Sequence, residues 1–525
     1  MSFPLLTATA VLPAVGAIVT AAVPAARRTA AKWLALFFSL ATLVLAAVVV
    51  VRFEPGGDRY QLTESHAWIS DFGVRYELGV DGIGVALLAL TALLIPFVIL
   101  AGWHDADPLE EVNPNRRWRP TQGFFALILM VEAMVILSFE ATDVFLFYIL
   151  FEAMLIPMYF LIGGFGDRAH SGGDEAAATQ RSYAAVKFLL YNLVGGLIML
   201  AAVIGLYVVA GSFSLSEIAE ARANGSLSIA TDTERWLFLG FFFAFAVKAP
   251  LWPLHTWLPN AMGEATAPVA VLITAVVDKV GTFAMLRFCL QLFPEASKWA
   301  TPVILVLALI SIVYGALLAV GQRDMKRLIA YASISHFGFI IMGIFAMTSQ
   351  GQSGATLYMV NHGISTAALM LVAGFLITRR GSRLIADYGG VQKVAPVLAG
   401  TFLIGGLATL SLPGLSPFVS EFLVLVGTFS RYPVIGIIAT IGIVLAALYV
   451  LVLYQRTMTG PVKAEVRSMP DLRVRELVVI TPLIALLLFL GVYPKPLTEI
   501  VNPAVEHTLS DVQQTDPKPE VEAAP

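Results

Sequence analysis

Residues 236–258, with the sequence WLFLGFFFAFAVKAPLWPLHTWL, form an apolar run long enough to cross a bilayer, which takes about 20 helical residues. The run contains Lys248, Pro250 and Pro253 near its middle. A charge at mid-membrane costs roughly 2.5–3.5 kcal/mol, and prolines interrupt helical hydrogen bonds that lipid cannot replace. This stretch therefore predicts a transmembrane helix broken at a buried charge, an arrangement typical of ion sites in membrane proteins.

The composition of the whole chain is that of a membrane protein. Of 525 residues, 58% are hydrophobic and 13% are charged, and the mean hydropathy is +0.81. The net charge of −3 gives no basis for nucleic-acid binding. The single cysteine, Cys289, excludes disulfides and cysteine-ligated iron–sulfur clusters within the chain. Because nucleotide-binding motifs, HExxH patterns and clustered carboxylates are also missing from the sequence, we expect no cofactor and no metal on this chain.

The hydrophobic pattern predicts an all-α integral membrane protein with about fourteen transmembrane helices of roughly 20 residues each. The N-terminal stretch is apolar without a preceding basic segment, which favours a first transmembrane helix over a cleaved signal peptide. The predicted spans are residues 3–23, 33–51, 80–102, 121–139, 143–165, 184–210, 236–258, 266–291, 301–320, 327–347, 355–378, 397–428, 433–455 and 476–493.

Basic residues are distributed unevenly among the loops between these spans. The loops after odd-numbered spans contain twenty lysines and arginines, including Arg116, Arg117, Arg119 and Arg168, whereas the loops and tail on the other side contain nine. Because cytoplasmic loops are enriched in basic residues, we expect the odd loops in the cytoplasm of a bacterium and both termini outside its plasma membrane. The residues after Pro494 are polar and predict a short extension or disorder.

A second predicted span, residues 397–428, is interrupted in the same way. Its segment LSLPGLSPFVSEF contains two prolines and a glycine before Glu421. The broken helices, the seventh and the twelfth, are five spans apart, and an odd spacing requires the units containing them to be inverted relative to each other. We therefore predict two inverted five-helix repeats. The predicted domains are N-terminal helices in 1–120, the repeats in 121–293 and 294–456, a last transmembrane helix in 457–495 and a polar tail in 496–525.

Six ionisable side chains inside the predicted spans are candidates for ion transfer. They are Glu152, Lys248, Lys279, His336, His362 and Glu421. A buried glutamate can instead be a neutral acid bonded to a neighbouring helix, and a single buried histidine is more often a packing residue. Two histidines on adjacent spans, between a buried lysine and a buried glutamate, favour a chain of groups that exchange protons.

Four further residues are weaker candidates. Glu132, Lys187 and His255 can each be explained as a cap or as a bond to a neighbouring helix. Asp278 precedes Lys279 in the chain, but adjacent helical residues point in different directions, so Asp278 need not be the partner of this lysine.

Five stretches of the chain resemble the antiporter-like membrane subunits of respiratory complex I: LFYILFEAMLIPMYFLIG, KFLLYNLVGGLIML, FAVKAPLWPLHTWLPNAMGEATAPVAVLI, LIAYASISHFGFIIMG and LPGLSPFVSEFLVLVG. The resemblance extends over about residues 80–493. Glu421 distinguishes members of this family, because the sister chains L and N and the related multisubunit sodium/proton antiporters generally have lysine there. The short C-terminus also differs from chain L, which carries a long lateral helix. Asp278 departs from the family pattern and could modify the protonation of Lys279.

The resemblance implies a subunit that translocates protons from the cytoplasm to the outside and carries no redox centre of its own. Glu152 would pair with Lys248, and Lys279 would be the central lysine. The two histidines would help to carry the proton across, and Glu421 would lead to the exit. FMN, iron–sulfur clusters and quinone would lie in partner subunits of the NADH:quinone oxidoreductase, and chains L and N would be the neighbours in the membrane.

Two other functions fit parts of the pattern. A subunit of a multisubunit sodium/proton antiporter would have the same fold, although Glu421 speaks against it. A solute transporter would also use broken helices, but its polar side chains should cluster around one ligand. The candidates here are distributed over six different spans.

Overall fold

The computed structural model describes residues 3–107, 120–166 and 174–518. The predicted cytoplasmic residues Arg116, Arg117, Arg119 and Arg168 lie outside these ranges, as does the end of the predicted tail. The helices are α1 (Leu5–Ala22), α2 (Arg28–Arg52), α3 (Gly82–Ala101), α4 (Pro120–Glu140), α5 (Val144–Ala153), α6 (Leu155–Phe165), α7 (Asp174–Ala210), α8 (Leu215–Ala223), α9 (Thr231–Lys248), α10 (Leu258–Glu264), α11 (Ala267–Val271), α12 (Asp278–Ala284), α13 (Pro294–Val320), α14 (Met325–Phe345), α15 (Ser349–Arg380), α16 (Pro396–Thr409), α17 (Ser416–Arg431), α18 (Pro433–Met458), α19 (Val474–Val492) and α20 (Lys495–Asp511). Two π-helical segments, Leu272–Val277 and Met285–Leu290, flank α12, and strands β1 (Gln61–Ile69) and β2 (Val74–Val80) pair antiparallel.

Within the described ranges, twelve helical segments are long and apolar enough to cross a membrane, and they coincide with twelve of the predicted spans. The other two predicted spans, the seventh and the twelfth, are each divided into two shorter helices. Residues 249–257 separate α9 from α10, and residues 410–415 separate α16 from α17. Prolines in both gaps remove backbone donors, which explains why the helices stop there. The total of fourteen crossings and the inverted repeats remain predictions.

Two segments differ from the predicted all-α bundle with a polar tail. The loop after α2 contains the β1–β2 hairpin, whose turn includes Gly73 at φ 67°. The segment after Pro494 forms α20, so the alternative of a disordered extension was wrong for residues 495–511. Val501, Val505 and Leu509 lie four residues apart on this helix and are buried. Such a spacing places them in one apolar stripe, which the high content of proline and acidic residues concealed in the sequence.

Aspartates fix the beginnings of several helices. The Asp81 carboxylate accepts a hydrogen bond of 2.7 Å from the Gly84 N–H at the start of α3. Asp143 accepts bonds from two backbone N–H groups at the start of α5, and Asp324 does the same at the start of α14. These caps satisfy donors that have no partner inside the helix, so each of these helices starts at a defined residue.

Ion pairs between loops reveal which loops lie on the same side of the bundle. Within the described ranges, eight ion pairs join loops or the span ends next to them, and each joins two positions on the side of the odd-numbered loops or two on the side of the even-numbered loops: Lys32–Asp107, Arg383–Asp324, Arg383–Glu264 and Arg379–Glu476 on one side, and Arg59–Asp511, Arg75–Glu217, Arg222–Glu234 and Arg287–Asp81 on the other. Glu234, near the start of α9, and Glu264, at the end of α10, thus belong to opposite sides. The broken seventh segment therefore connects the two sides of the bundle.

The helices separate into a central group and a peripheral group. The continuous segment Ala267–Leu290 is buried throughout, and Met325–Phe345 and Ser349–Arg380 are almost completely buried. By contrast, α2, α7, α18 and α19 expose many large apolar side chains. Apolar side chains on the outer surface suit contact with lipid, where the backbone is satisfied inside each helix. The central group carries Lys279, His336 and His362, so these candidates lie inside the protein.

Helix α20 packs closely against the start of α3. At Gly82, the first residue of α3, an added Cβ would lie 1.8 Å from the carbonyl oxygen of Ile500 in α20. Only glycine permits this approach of the two backbones. The pair Arg59–Asp511 then links the other end of α20 to the loop before the hairpin.

We expect Gly82→Ala to loosen α20, because the new methyl group would overlap with the Ile500 carbonyl. The measurement uses a Val505→Cys protein, in which the new thiol is buried and the native Cys289 is also buried. Adding Gly82→Ala should speed maleimide labelling at position 505 by roughly tenfold, equivalent to a loosening of about 1.4 kcal/mol within the usual range for overpacking. Gly400→Ala is the matched control, since no atom lies within 4 Å of its added Cβ. Equal labelling rates in the two variants would contradict the close packing of α20.

Candidate functional site

Lys248 is the last residue of α9 and lies where two helices end. Its Nζ donates a hydrogen bond of 2.8 Å to the carbonyl oxygen of Phe151, near the end of α5, and lies 3.7 Å from the centroid of the Phe151 ring. Carbonyl groups at the C-terminal end of a helix lack helical donors and carry partial negative charge. The buried ammonium group therefore binds at the negative end of α5. The Trp257 indole donates to the Val247 carbonyl over 2.9 Å and fixes the chain beyond the break.

Glu152 lies beside this contact but does not form a close ion pair. The fifth span is itself interrupted at Met154, ahead of Pro157 in α6, which explains why α5 ends at Ala153. The Glu152 side chain is half-buried, and its Oε1 is buried without a hydrogen-bond partner. Among the described residues, Lys248 has no carboxylate within 4.0 Å. The two side chains are thus separate, with Lys248 held by the carbonyl of the residue next to Glu152.

The position of Glu152 depends on a glycine in α7. At Gly196, an added Cβ would lie 1.7 Å from Glu152 Oε1. The carboxylate therefore lies directly against the backbone of α7. Gly195 allows a similarly close approach of α7 to α9, because its added Cβ would lie 3.2 Å from Ala244 Cα. The Gly-Gly pair allows α5, α7 and α9 to approach each other around the break.

Lys279 and His362 are in direct contact in the centre of the bundle. The distance between Lys279 Nζ and His362 Nδ1 is 2.6 Å, and Nζ also lies 4.3 Å from the centroid of the Phe337 ring. Lys279 is on α12 and is fully buried, and His362 is on α15 and is fully buried. The sequence prediction placed both on one path, and the structure brings them together.

His336 continues this contact towards Glu421. Its ring centroid is 5.2 Å from that of His362, and its Nε2 lies 3.5 Å from the Tyr449 hydroxyl. The Tyr358 hydroxyl donates to Glu421 Oε2 over 3.2 Å, and its ring lies 5.8 Å from that of His336. The groups from Lys279 to Glu421 thus form a buried polar row, which we call the central row: Lys279, His362, His336, Tyr358, Tyr449 and Glu421.

The remaining weaker candidates do not join the central row. Lys187 donates to Asn260 on α10 over 3.0 Å, and the ring of His255, in the break after α9, lies 5.3 Å from that of Tyr314. Glu132 is fully buried on α4, and both of its carboxylate oxygens have no hydrogen-bond partner in the described part of the protein. Asp278 is also fully buried, at the start of α12.

Sequence reasoning missed the two tyrosines and the Phe151 carbonyl. Tyr358 lies four residues before His362 on the same helix, so the spacing could have shown that the two side chains share a face. Tyr449 is on α18, and its approach to His336 depends on packing between distant segments. A backbone carbonyl such as that of Phe151 carries no signal in the sequence at all.

The side chains of the central row are of types that can exchange protons. Lysine, histidine and glutamate can each occupy two protonation states, and a tyrosine hydroxyl both donates and accepts hydrogen bonds. In the part of the chain that the structure describes, no group of three or more His, Cys, Asp and Glu side chains lies together as a metal site. An apolar helical bundle with broken helices and such a buried row defines an antiporter-like membrane protein.

Comparisons with known proteins agree with this class. The family model for the transmembrane region of NADH:quinone oxidoreductase and Mrp antiporter proteins matches residues 141–446. NADH-quinone oxidoreductase subunit M of Mycobacterium tuberculosis is 55% identical, with 97% of this chain and 95% of that protein covered. NADH-ubiquinone oxidoreductase chain 4 of Marchantia polymorpha is 32% identical, with 94% and 95% covered. A chain from the structure of respiratory complex I from Thermus thermophilus with bound NADH superposes with a TM-score of 0.84 at 29% identity, covering 97% of this chain and 99% of that one.

The chain therefore belongs to the NADH-quinone oxidoreductase subunit M family. This result confirms the resemblance inferred from the broken helices and from Glu421. It also favours the complex I reading over the sodium/proton antiporter alternative, although the family model covers both groups.

The close contact at Gly196 gives a test of where Glu152 lies. Gly196→Ala should destabilise the protein by about 1–3 kcal/mol, because the added methyl group would overlap with the Glu152 carboxylate. Combining it with Glu152→Asp, which shortens the acid by one methylene group, should recover part of that stability. Thermal unfolding in detergent measures both effects, with Gly164→Ala as the control, since its added Cβ has no atom within 4 Å. Equal destabilisation in the single and double variants would place Glu152 elsewhere.

Proposed function

We propose that this chain is a proton-translocating subunit in the membrane arm of a NADH:quinone oxidoreductase. It would move protons from the cytoplasm to the outside, driven by quinone reduction in partner subunits. The observation that carries the proposal is the buried central row, which runs from Lys279 to Glu421 without leaving the protein interior. The named relatives support membership of such a complex.

The contact between Lys279 and His362 is suited to passing a proton. With both groups protonated, two cationic donors would face each other at 2.6 Å, so at least one of them must be neutral and accept. A proton arriving on Lys279 can then pass to His362 Nδ1. The opposite ring nitrogen of His362 is buried without a partner, so it is available to release a proton towards His336.

The two tyrosines are suited to connect His336 with Glu421. A hydroxyl group can accept a proton on one side and donate one on the other, so it passes the proton without lasting ionisation. Tyr449 approaches His336 at 3.5 Å, and Tyr358 donates to Glu421 at 3.2 Å. Glu421 would then release the proton towards the outside.

Glu152 and Lys248 would couple this transfer to the neighbouring subunit. An ion pair at about 4 Å is worth roughly 4 kcal/mol at an effective dielectric constant of about 20. Moving one unit charge against 100 mV takes about 2.3 kcal/mol. Forming or separating the pair would therefore supply enough free energy to move a proton. Lys248 has the Phe151 carbonyl as its other partner, so it remains bonded when the carboxylate withdraws.

The alternative proposal is that the chain is a subunit of a multisubunit sodium/proton antiporter with the same fold. The proteins that co-purify in mild detergent distinguish the two. Flavin and iron–sulfur subunits are expected for the oxidoreductase, and purely membrane-embedded partners for the antiporter. In the proposed complex, FMN, iron–sulfur clusters and quinone would be held by partner subunits, and chains L and N would be the membrane neighbours.

The proposed orientation places both termini outside a bacterial plasma membrane. The side that contains the Arg379–Glu476 and Arg383–Asp324 pairs would then face the cytoplasm, and α20 would lie on the outer surface. The basic loops support this orientation through the positive-inside bias.

Lys248→Ala and Glu152→Ala should each abolish proton pumping in the assembled complex, because removal of one partner leaves the coupling without its charge pair. NADH-driven quenching of a pH-sensitive dye in inverted membrane vesicles measures pumping, and NADH oxidation with quinone should fall in parallel. NADH oxidation with an artificial acceptor confirms that the complex has assembled. Near-normal pumping by either variant, with assembly verified, would remove the pair from the mechanism.

Glu421→Gln should lower pumping by about tenfold or more, because glutamine retains size and hydrogen bonding but cannot titrate. Glu421→Asp should retain part of the activity, since the carboxylate remains. The same vesicle measurement compares the two variants. A fully active Gln variant would show that Glu421 contributes only packing and a hydrogen bond.

A further inference from the structure

Asp278 is a buried carboxylate that the central row leaves unused. It is fully buried, and neither carboxylate oxygen has a hydrogen-bond partner in the described part of the protein. A buried polar group without a partner is destabilising and uncommon, so its presence requires an explanation. An apolar side chain of similar size would fill this position without the free-energy cost of burying an unbonded carboxylate.

The local geometry directs Asp278 towards the broken end of α9. Gly281, one turn further along α12, packs against this end: its added Cβ would lie 2.9 Å from the Ala249 N and 3.0 Å from the Phe245 carbonyl oxygen. Residues three apart share a helix face, so Asp278 and Gly281 face the same neighbour. Lys248, the last residue of α9, precedes Ala249 directly. Asp278 thus lies on the side of α12 that meets the Lys248 break.

Two lysine charges act on Asp278. They belong to Lys279, its neighbour on α12, and to Lys248 on α9. Lys248 in turn is subject to the charges of Glu152 and Asp278. The carboxylate is therefore close enough to interact with both Lys248 and the first lysine of the central row.

The backbone around Asp278 is also unusual. The π-helical segment Leu272–Val277 ends immediately before it, and α12 continues for only seven residues before the next π-helical segment. Inserted π-helical turns are rare and frequently occur at functional sites, since each rotates the residues that follow. Here the turn lies directly before Asp278, on the helix that packs against α9.

We infer that Asp278 carries protons between Lys248 and Lys279, and so joins the Glu152–Lys248 pair to the central row. Protonated Lys248 would lose a proton from Nζ as a new O–H bond forms on the Asp278 carboxylate, directly or through water. The resulting neutral acid would then pass that proton to neutral Lys279, which becomes an ammonium group, and Asp278 returns to its carboxylate form. The step needs no oxidant or reductant. This inference rests on the proposed proton path and adds a residue to it.

The test compares substitutions at Asp278 that differ in their ability to titrate. Asp278→Asn keeps the shape but cannot take up and release a proton, whereas Asp278→Glu keeps the acid. In inverted vesicles, Asp278→Asn should lower both NADH-driven pumping and NADH:quinone oxidation by about tenfold or more, as for loss of a proton-transfer group. Asp278→Glu should retain at least about half of both rates. NADH oxidation with an artificial acceptor should be unchanged in both variants, which verifies assembly.

Glu140→Gln is the matched control. Glu140 is also a fully buried carboxylate with no hydrogen-bond partner for either oxygen among the described residues, but the charge that acts on it is that of Glu64 and not of a lysine. Its neutral variant should pump at the wild-type rate. A loss equal to that of Asp278→Asn would show that any buried acid matters for structure, and the inference would fail.

Several results would overturn the assignment. Wild-type pumping by Asp278→Asn would show that no titrating group is needed there, and equal losses in the Asn and Glu variants would show a structural role. If Asp278→Asn does not assemble, Asp278→Ser serves as a second neutral variant. Normal pumping by the Ser variant, or failure of both neutral variants to assemble, would also overturn the inference. These outcomes leave the proposed function intact if Lys248→Ala and Glu421→Gln still stop pumping.

Discussion

The constraint on which this structure depends is that an ammonium group inside an apolar bundle must have partners. At Lys248 the partners are helix ends. The prolines that follow stop α9 at this residue, and the interruption ahead of Pro157 stops α5 near Phe151. The Phe151 carbonyl at the end of α5 accepts a hydrogen bond from the cation. A continuous helix through residue 154 would direct the Phe151 carbonyl to a helical donor, so the interruption of α5 leaves this carbonyl available to Lys248.

The same physics explains the division between central and peripheral helices. The proposed proton path needs polar side chains shielded from lipid, and the segment Ala267–Leu290 together with α14 and α15 provides a buried centre. Outer helices such as α2 and α7 have apolar surfaces that suit lipid. Close backbone contacts at glycines hold this arrangement. Gly491 of α19 is one example, since its added Cβ would lie 2.4 Å from the Gly414 carbonyl oxygen in the break before α17.

The separation of Glu152 from Lys248 has a mechanistic meaning. Lys248 is bonded to a neutral carbonyl, with an acid on the next residue of the same helix. A cation with two alternative partners can move between two arrangements of similar stability, and a change in charge elsewhere can shift the balance between them. Asp278 would add a further partner for Lys248 on the side of Lys279, because it is subject to the charges of both lysines. In the proposed mechanism the site is thus a set of switchable contacts and not a fixed ion pair.

Much of the fold could be predicted from the sequence, because lipid demands long apolar helices, and the prolines around Lys248 and before Glu421 mark the two helices that are divided. For that reason the positions of the predicted spans, the two interruptions and the six principal candidates followed from the chain alone. The hairpin and α20 were missed, since short amphipathic elements in polar loops give weak signals. The bonds between candidates were decided only by tertiary structure: Lys279 meets His362 across helices 83 residues apart in the chain, and Tyr449 reaches His336 from 113 residues away. Sequence periodicity describes which face a residue occupies on its own helix. Contacts between helices depend instead on packing at sites such as Gly196 and Gly281, where a single added methyl group would push the two helices apart.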